Sequence, residues 1–106
     1  MKNAVIFHQH FYYDESSPTK FRKRKTGKPA GTKRTYNDGH QHYALRCKVG
    51  KKNYDWSLNR CLFEIYHDVE LPYSLLVTTI DNDVDNIQIN NLIAVSCSAI
   101  QLEQNT

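Results

Sequence analysis

The sequence predicts an α+β fold in which an antiparallel β region precedes a helix, and two changes of residue pattern carry this prediction. Residues 42–49 alternate apolar and polar side chains at period two, and Gly50-Lys51 marks a turn into a second strand at residues 52–56. Apolar residues then recur at helical spacing over residues 58–67, as Leu58, Leu62, Ile65 and Tyr66. We therefore expect a hairpin with one apolar face and an amphipathic helix packed under it.

The other predicted elements are short, because their apolar runs are bounded closely by turn-forming residues. Of the aromatic residues in the hairpin, Tyr43, Tyr54 and Trp56 are expected to pack in the core rather than to stack on nucleobases. We expect strands at residues 5–7, 11–13, 75–80 and 93–95, a turn at 14–18, a polar loop at 81–86, a helical turn at 89–92 and a last helix at 98–104.

Length and hydropathy indicate one domain that does not enter a membrane. A chain of 106 residues has the size of a single domain. No apolar run approaches the roughly 18 residues that span a bilayer. The apolar stretch at residues 4–7 is too short for the core of a signal peptide. We therefore expect a cytoplasmic protein.

The cysteines predict neither a disulfide framework nor a zinc knuckle. Cys47, Cys61 and Cys97 are odd in number, and no two of them have the C-x-x-C spacing. We expect them to be reduced and partly buried.

Charge is distributed unevenly along the chain. All 14 basic residues lie at or before Arg60, where four acidic residues oppose them, which gives residues 1–60 a net charge of +10. The remaining seven acidic residues follow in residues 61–106, where Lys and Arg are absent, and this part has a net charge of −7. Such asymmetry favours a polyanion as the partner of the first part and a different partner for the second.

The densest basic segment runs from Lys20 to Arg34, and Gly27, Pro29 and Gly31 exclude a helix there. It is predicted to be a loop or extended arm that contacts DNA phosphates, and the alternative interpretation is a solvated charge run. The basic side chains of the following hairpin are placed to line a groove, since a two-stranded ribbon fits the major groove. The candidate DNA-binding residues are Lys20, Arg22, Lys23, Arg24, Lys25, Lys28, Lys33, Arg34, Arg46, Lys48, Lys51 and Lys52.

Several motifs resemble a known nuclease family. The chain has G-K-P-A-G at residues 27–31, L-N-R at 58–60 and I-D-N-D-x-x-N-x-x-I-N-N-L at 80–92. In type and spacing these resemble the small phage HNH endonucleases of the homing type, over residues from about 11 to 105. The resemblance implies a single HNH-like domain, with a basic β-rich arm and hairpin at residues 1–57. It also implies a helix and a ββα-metal strand-loop-helix motif at residues 58–106.

In that family the strand-loop-helix motif holds a divalent cation on the scissile phosphate. A histidine at the strand end takes a proton from water, and a loop asparagine orients that histidine. The resemblance implies that Asn86 matches the loop asparagine and that Asn91 matches a metal ligand on the helix.

The chemical centre departs from the family pattern. Thr78 and Thr79 stand where the family has its first metal ligand and its general base. Asn59 replaces the histidine of the family's H-R pair, and Gln88 replaces an arginine after the loop asparagine. We therefore expect a degenerate site that has no intact catalytic residue and needs no cofactor, Mg²⁺ being required only if nuclease activity persists.

Two other arrangements of site residues compete with this interpretation. His67 and the acidic loop residues Asp81, Asp83 and Asp85 would form a relocated nuclease site, although aspartates in such loops commonly accept backbone N–H groups in turns. The pairs at residues 8–10 and 40–42 would form a four-histidine zinc site if both lie on strands, and otherwise are exposed histidines at strand edges.

Three functions remain open from the sequence. The first is binding of double-stranded DNA without cleavage. The second is inhibition or regulation of a host defence or nucleic-acid-processing protein by a phage-encoded chain in the host cytoplasm, through an acidic surface that includes Glu64, Asp68 and Glu70. The third is weak metal-dependent DNA cleavage.

Overall fold

The computed structural model describes residues 1–96, and this part of the chain forms three small antiparallel sheets and two α-helices, which confirms the α+β prediction. No helix among these residues is long and apolar enough to cross a membrane. The elements in chain order are α1 (Ala4–His10), β1 (Phe11–Tyr13), β2 (Phe21–Lys23), β3 (Thr32–Thr35), β4 (Gln41–Val49), β5 (Lys52–Ser57), α2 (Leu58–His67), β6 (Leu75–Thr79), a 3₁₀ turn (Ile89–Asn91) and β7 (Leu92–Ser96).

The predicted hairpin is confirmed as strands β4 and β5 of a three-stranded sheet with the order β3-β4-β5. Leu45 lies opposite Trp56, and both side chains are buried on the core side. Arg46 lies opposite Asp55, and alternation along the strands places this pair on the other face. The sheet therefore has one apolar face and one charged face, as period-two alternation predicts.

Helix α2 begins and ends where the sequence pattern predicts. The side chain of Ser57 caps its first turn by accepting a hydrogen bond from the Arg60 backbone N–H. Leu58 and Leu62 are almost fully buried against the sheet, whereas Tyr66, expected on the apolar side, has 57% of its surface exposed. The buried stripe of the helix is therefore narrower than the sequence suggested.

The strand predicted at residues 5–7 is wrong, because this segment belongs to α1. Phe7 is fully buried, and its ring lies 5.2 to 5.6 Å, centroid to centroid, from the rings of Phe11, Phe21 and Trp56. The roughly two turns of α1 before β1 place Phe7 in this aromatic cluster, and burial of its large ring outweighs the strand preference of Val5 and Ile6.

The basic segment is folded rather than a free arm. Its first part is β2, which pairs with β1, and Arg22 forms a further bridge with Pro29. Its last part is β3, which pairs with β4. Phe21 and Ala30 are fully buried, so the segment contributes to the core as well as to the surface charge.

Strands β6 and β7 pair antiparallel, with Thr78 opposite Ile93 and Thr79 opposite Leu92. Arg60 of α2 holds the chain that leads into this hairpin, since its guanidinium donates hydrogen bonds to the carbonyl oxygens of Leu71, Pro72 and Leu75. The predicted helix at residues 98–104, like Cys97, lies outside the described residues.

The two described cysteines are free thiols, as predicted. Cys47 is half-buried and Cys61 is buried. Burial, with a contribution from the charge of Glu64, raises the pKa of Cys61 to about 12, so this thiol is protonated and unreactive near neutral pH.

Candidate nucleic-acid interface

The loop between β6 and β7 is organised around the carboxylate of Asp81. Its Oδ1 accepts hydrogen bonds from the backbone N–H of Asp83 at 2.9 Å and from Nδ2 of Asn91 at 2.9 Å. Its Oδ2 accepts one from Nδ2 of Asn86 at 2.8 Å. These donors, with Asn86 as the largest cause, hold the pKa of Asp81 below its usual range. Asp81 therefore serves as the hydrogen-bond acceptor of its own loop.

Asn91, matched by resemblance to a metal ligand, uses both ends of its amide inside this loop. The side chain is 7% exposed. Besides its bond to Asp81, Nδ2 donates to the carbonyl oxygen of Asn86 at 3.0 Å, and Oδ1 accepts from the backbone N–H of Asp81 at 3.3 Å. Asn91 lies on the 3₁₀ turn that precedes β7.

Thr78 and Thr79 lie at the end of β6 and are half-buried. Neither hydroxyl makes a hydrogen bond within residues 1–96. Threonine has no lone pair that is basic near neutral pH, and the neighbouring Asp81 and Asn91 already bond to each other. The residues present at this strand end therefore do not fit the divalent cation that the family pattern implies.

The relocated sites are not assembled either. His67 packs its ring on Phe63, with 4.4 Å between centroids. His8 and His10 lie on helix α1 instead of a strand, where residues two apart point in different directions. Within the part of the chain that the structure describes, no three His, Cys, Asp or Glu side chains are placed to hold an ion together.

Asp85 connects the loop to the central sheet, which the sequence did not indicate. Its carboxylate accepts a hydrogen bond from Tyr43 Oη at 2.7 Å and lies 3.0 and 3.1 Å from Nζ of Lys33. Tyr43 first, and then Lys33, lowers the pKa of Asp85 by stabilising its charged form. Lys33, one of the candidate DNA-binding residues, is therefore already paired inside the protein.

The candidate arginines also have partners within the protein. Arg22 pairs with Asp14, with Nε 2.6 Å from Oδ2. Arg24 donates to the carbonyl oxygen of His8 and lies over the ring of Tyr12. Their guanidinium groups therefore hold β1, β2 and α1 together as well as adding charge to the surface.

On the charged face of the sheet, Arg34 and Arg46 share one carboxylate. Arg34 lies 2.9 Å from the Asp55 carboxylate and Arg46 lies 3.7 Å from it. Two arginines beside one aspartate leave this part of the face positively charged.

Most of the candidate lysines, in contrast, are free. Lys20 donates to the Glu15 carbonyl oxygen, and Lys52 lies over the ring of Tyr54. Lys33 is paired with Asp85, as described above. The remaining candidate lysines are exposed and have no side-chain hydrogen bond or ion pair with any of residues 1–96. They are Lys23, at the end of β2, Lys25 and Lys28, which follow it, Lys48, near the end of β4, and Lys51, at the turn between β4 and β5.

The acidic residues proposed for a protein partner differ in exposure. Glu64 is 4% exposed, and its carboxylate pairs with Nε of Arg60 at 3.2 Å and with the ammonium of Met1 at 3.3 Å. Burial removes Glu64 from the surface. Asp68, in the left-handed conformation after α2, and Glu70 remain exposed.

Comparison with known proteins shows that the fold is similar to that of a solved structure. No family model matches the chain, and no curated protein sequence matches it. A solved structure that shows DNA binding and cleavage by the HNH homing endonuclease I-HmuI superposes with a TM-score of 0.60 at 22% sequence identity. The superposition covers 91% of this chain and 51% of that one, so the chain spans about half the length of the endonuclease. The chain has an HNH-like fold.

Proposed function

We propose that this chain binds double-stranded DNA through its basic β region and does not cleave it. The proposal rests on one observation, which is that the arginines and the lysines of the basic β region differ in their contacts. The paired arginines stabilise the fold, whereas the free lysines of two β turns are exposed and available to phosphates. The likeness of fold to a DNA-cleaving endonuclease supports the same partner.

The strand-end residues support the absence of cleavage. Hydrolysis of a phosphodiester in the family pattern needs a base that accepts a proton from water, and Thr79 supplies none. It also needs ligands for a cation, yet Asn91 and Asp81 bond to each other in the folded loop. DNA binding and cleavage are separable here because the free lysines belong to other elements than this loop.

A salt titration of duplex affinity tests the binding part. Each phosphate that is neutralised contributes a slope of about −0.9 in log affinity against log salt. Replacing Lys23, Lys25 and Lys28 by Ala should therefore reduce the slope by about 2 to 3 and weaken all DNA sequences alike. Lys25→Ala alone can be compared with Lys2→Ala, which should change the slope little, because Lys2 is exposed and lies outside the basic β region. An unchanged slope in the triple variant would show that this turn is only a solvated charge run.

A plasmid assay tests the absence of cleavage. Supercoiled plasmid should remain intact with Mg²⁺, Mn²⁺ or Ni²⁺ at protein concentrations that saturate binding. Metal-dependent nicking that is lost in a His67→Ala variant would instead support the weak nuclease.

A protein partner is the second candidate function, and the surface after α2 favours it. Tyr66, near the end of α2, is 57% exposed, Val69 44% and Tyr73 77%, and Asp68 and Glu70 lie between them in the sequence. Exposed aromatic residues are enriched at protein interfaces, and the two acidic residues favour a partner of the opposite charge. For a phage-encoded chain the partner would be a basic host protein in the cytoplasm. Asp68→Lys with Glu70→Lys should then slow association with that partner and leave duplex affinity equal or higher.

A further inference from the structure

Three rings meet at the end of the hairpin formed by β3 and β4. Tyr36 and His42 are stacked, with centroids 5.1 Å apart and planes 18° from parallel. His40 lies edge-on to both, 5.4 Å from Tyr36 and 5.9 Å from His42. We call these three residues the hairpin ring cluster. None of them belongs to the hydrophobic core, and 45% of the surface of Tyr36 is exposed.

Two arginines lie beside the cluster. Arg34 lies directly opposite His42 in the sheet register, and Arg46 lies further along the same strand as His42 and on the same face. Two carboxylates lie close to the cluster: Asp38, in the turn, accepts a hydrogen bond from the His40 backbone N–H at 2.9 Å, and Asp55 already pairs with both arginines. Exposed aromatic faces beside cations that can hold a phosphate are the combination with which proteins bind nucleotides that are not base-paired.

We propose that the hairpin ring cluster is a stacking site for an unpaired nucleobase of a gapped, bulged or single-stranded nucleic acid. The inference rests on the proposed DNA binding and names the form of DNA that this part of the surface prefers. A paired base presents only its edges in the grooves, whereas an unpaired base offers a face to Tyr36. Stacking tolerates any base, so the site selects structure rather than sequence.

Cross-strand packing is the competing explanation of the same geometry, because ring pairs stabilise hairpins. It predicts that loss of Tyr36 lowers stability and leaves the choice among nucleic acids unchanged. A readout of preference between two forms of DNA, measured beside the melting temperature, separates these explanations.

The experiment compares a fully paired duplex with the same duplex carrying one bulged 2-aminopurine. The wild-type chain should bind the bulged duplex about tenfold more tightly, which corresponds to stacking of one base, and should quench the 2-aminopurine fluorescence. Tyr36→Ala and Tyr36→Leu should both lose the preference and the quenching while keeping the affinity for the paired duplex. Tyr36→Phe should keep both effects. Tyr66→Ala, at another exposed tyrosine, is the matched control and should behave as wild type.

The outcomes distinguish this inference from the function on which it rests. If the wild type binds neither duplex, the proposed DNA binding fails and the stacking site fails with it. If the wild type binds both duplexes equally, or if Tyr36→Leu folds and keeps the preference, DNA binding stands and the stacking site is overturned.

Discussion

Lys33 of β3 and Asp85 of the loop before β7 form an ion pair across the two oppositely charged parts of the chain, with Nζ 3.0 Å from Oδ1. Tyr43 of β4 donates to the same carboxylate. The pair therefore joins the basic sheet to the acidic loop, and it occupies a cation that the sequence assigned to DNA. Since a phosphate would compete with Asp85 for Lys33, the pair would oppose the proposed DNA binding.

Asp85→Asn should raise duplex affinity by a few fold and steepen the salt slope by about 1, because Lys33 becomes available to a phosphate. Fluorescence anisotropy over a salt series measures both effects. Asp83→Asn is the matched control, since it removes the same charge from the same loop at a residue whose carboxylate accepts from the backbone N–H of Asp85 and forms no ion pair with Lys33. Equal gains in the two variants would mean that general repulsion by the acidic loop, rather than competition for Lys33, limits binding.

Gly31→Ala should destabilise the fold by about 1 to 3 kcal/mol. Gly31 has a φ of +117°, and a Cβ there would lie 2.9 Å from Cδ1 of Leu58, which is fully buried at the start of α2. Urea unfolding measures the loss. Gly50→Ala is the control, because Gly50 also has a positive φ, of +62°, but a Cβ there meets nothing within 4 Å. If both variants lose the same stability, backbone conformation explains the loss and the contact with Leu58 does not.

The hairpin ring cluster predicts a pH dependence of stability. Burial, followed by the charges of His40 and Arg34, lowers the pKa of His42 below its ordinary value of 6.5, and Asp55 opposes this shift. The unfolded chain therefore binds a proton at His42 more readily than the folded chain does. Stability should fall as the pH drops below about 6.5, and it should level off once the pH lies below the folded pKa.

His42→Gln should flatten this part of the stability profile. Urea unfolding at pH 7.5 and 5.5 measures the difference, with His8→Gln as the control because His8 is an exposed histidine on α1. If His42→Gln and wild type lose the same stability between the two pH values, groups other than His42 cause the pH dependence.

The elements that the sequence predicted correctly are those whose pattern is local. The β4–β5 hairpin and helix α2 show their period within about ten residues, and a turn or a cap marks their ends. The sequence did not predict helix α1, because the contact that favours it involves a residue far along the chain. Phe7 packs on Trp56, and nothing in the seven residues of α1 reveals that contact.

The same difference between local and distant features applies to the candidate site. The threonines at the end of β6 are visible in the sequence, and the loop aspartates form the turns that their composition suggests. The pairing of Lys33 with Asp85 is not visible, because 52 residues separate them. Nor does composition reveal which cations are free, since Arg22 and Lys23 are neighbours and only the structure shows that Arg22 is paired with Asp14.

Asn91→Ala tests whether this asparagine supports the loop, as its contacts indicate, or remains a ligand as the family pattern implies. Removal of a buried amide leaves the Asn86 carbonyl, the Asp81 backbone N–H and one bond of the Asp81 carboxylate without their partner. Loss of such a group costs about 1 to 3 kcal/mol. We expect Asn91→Ala to lower the free energy of unfolding by that amount and to leave duplex affinity unchanged at temperatures where the variant is folded.

Asn90→Ala is the control, because Asn90 is the preceding residue and is exposed. A variant at Asn91 that kept full stability but lost a Mg²⁺-dependent gain in DNA affinity would identify Asn91 as a ligand and contradict the absence of a metal site.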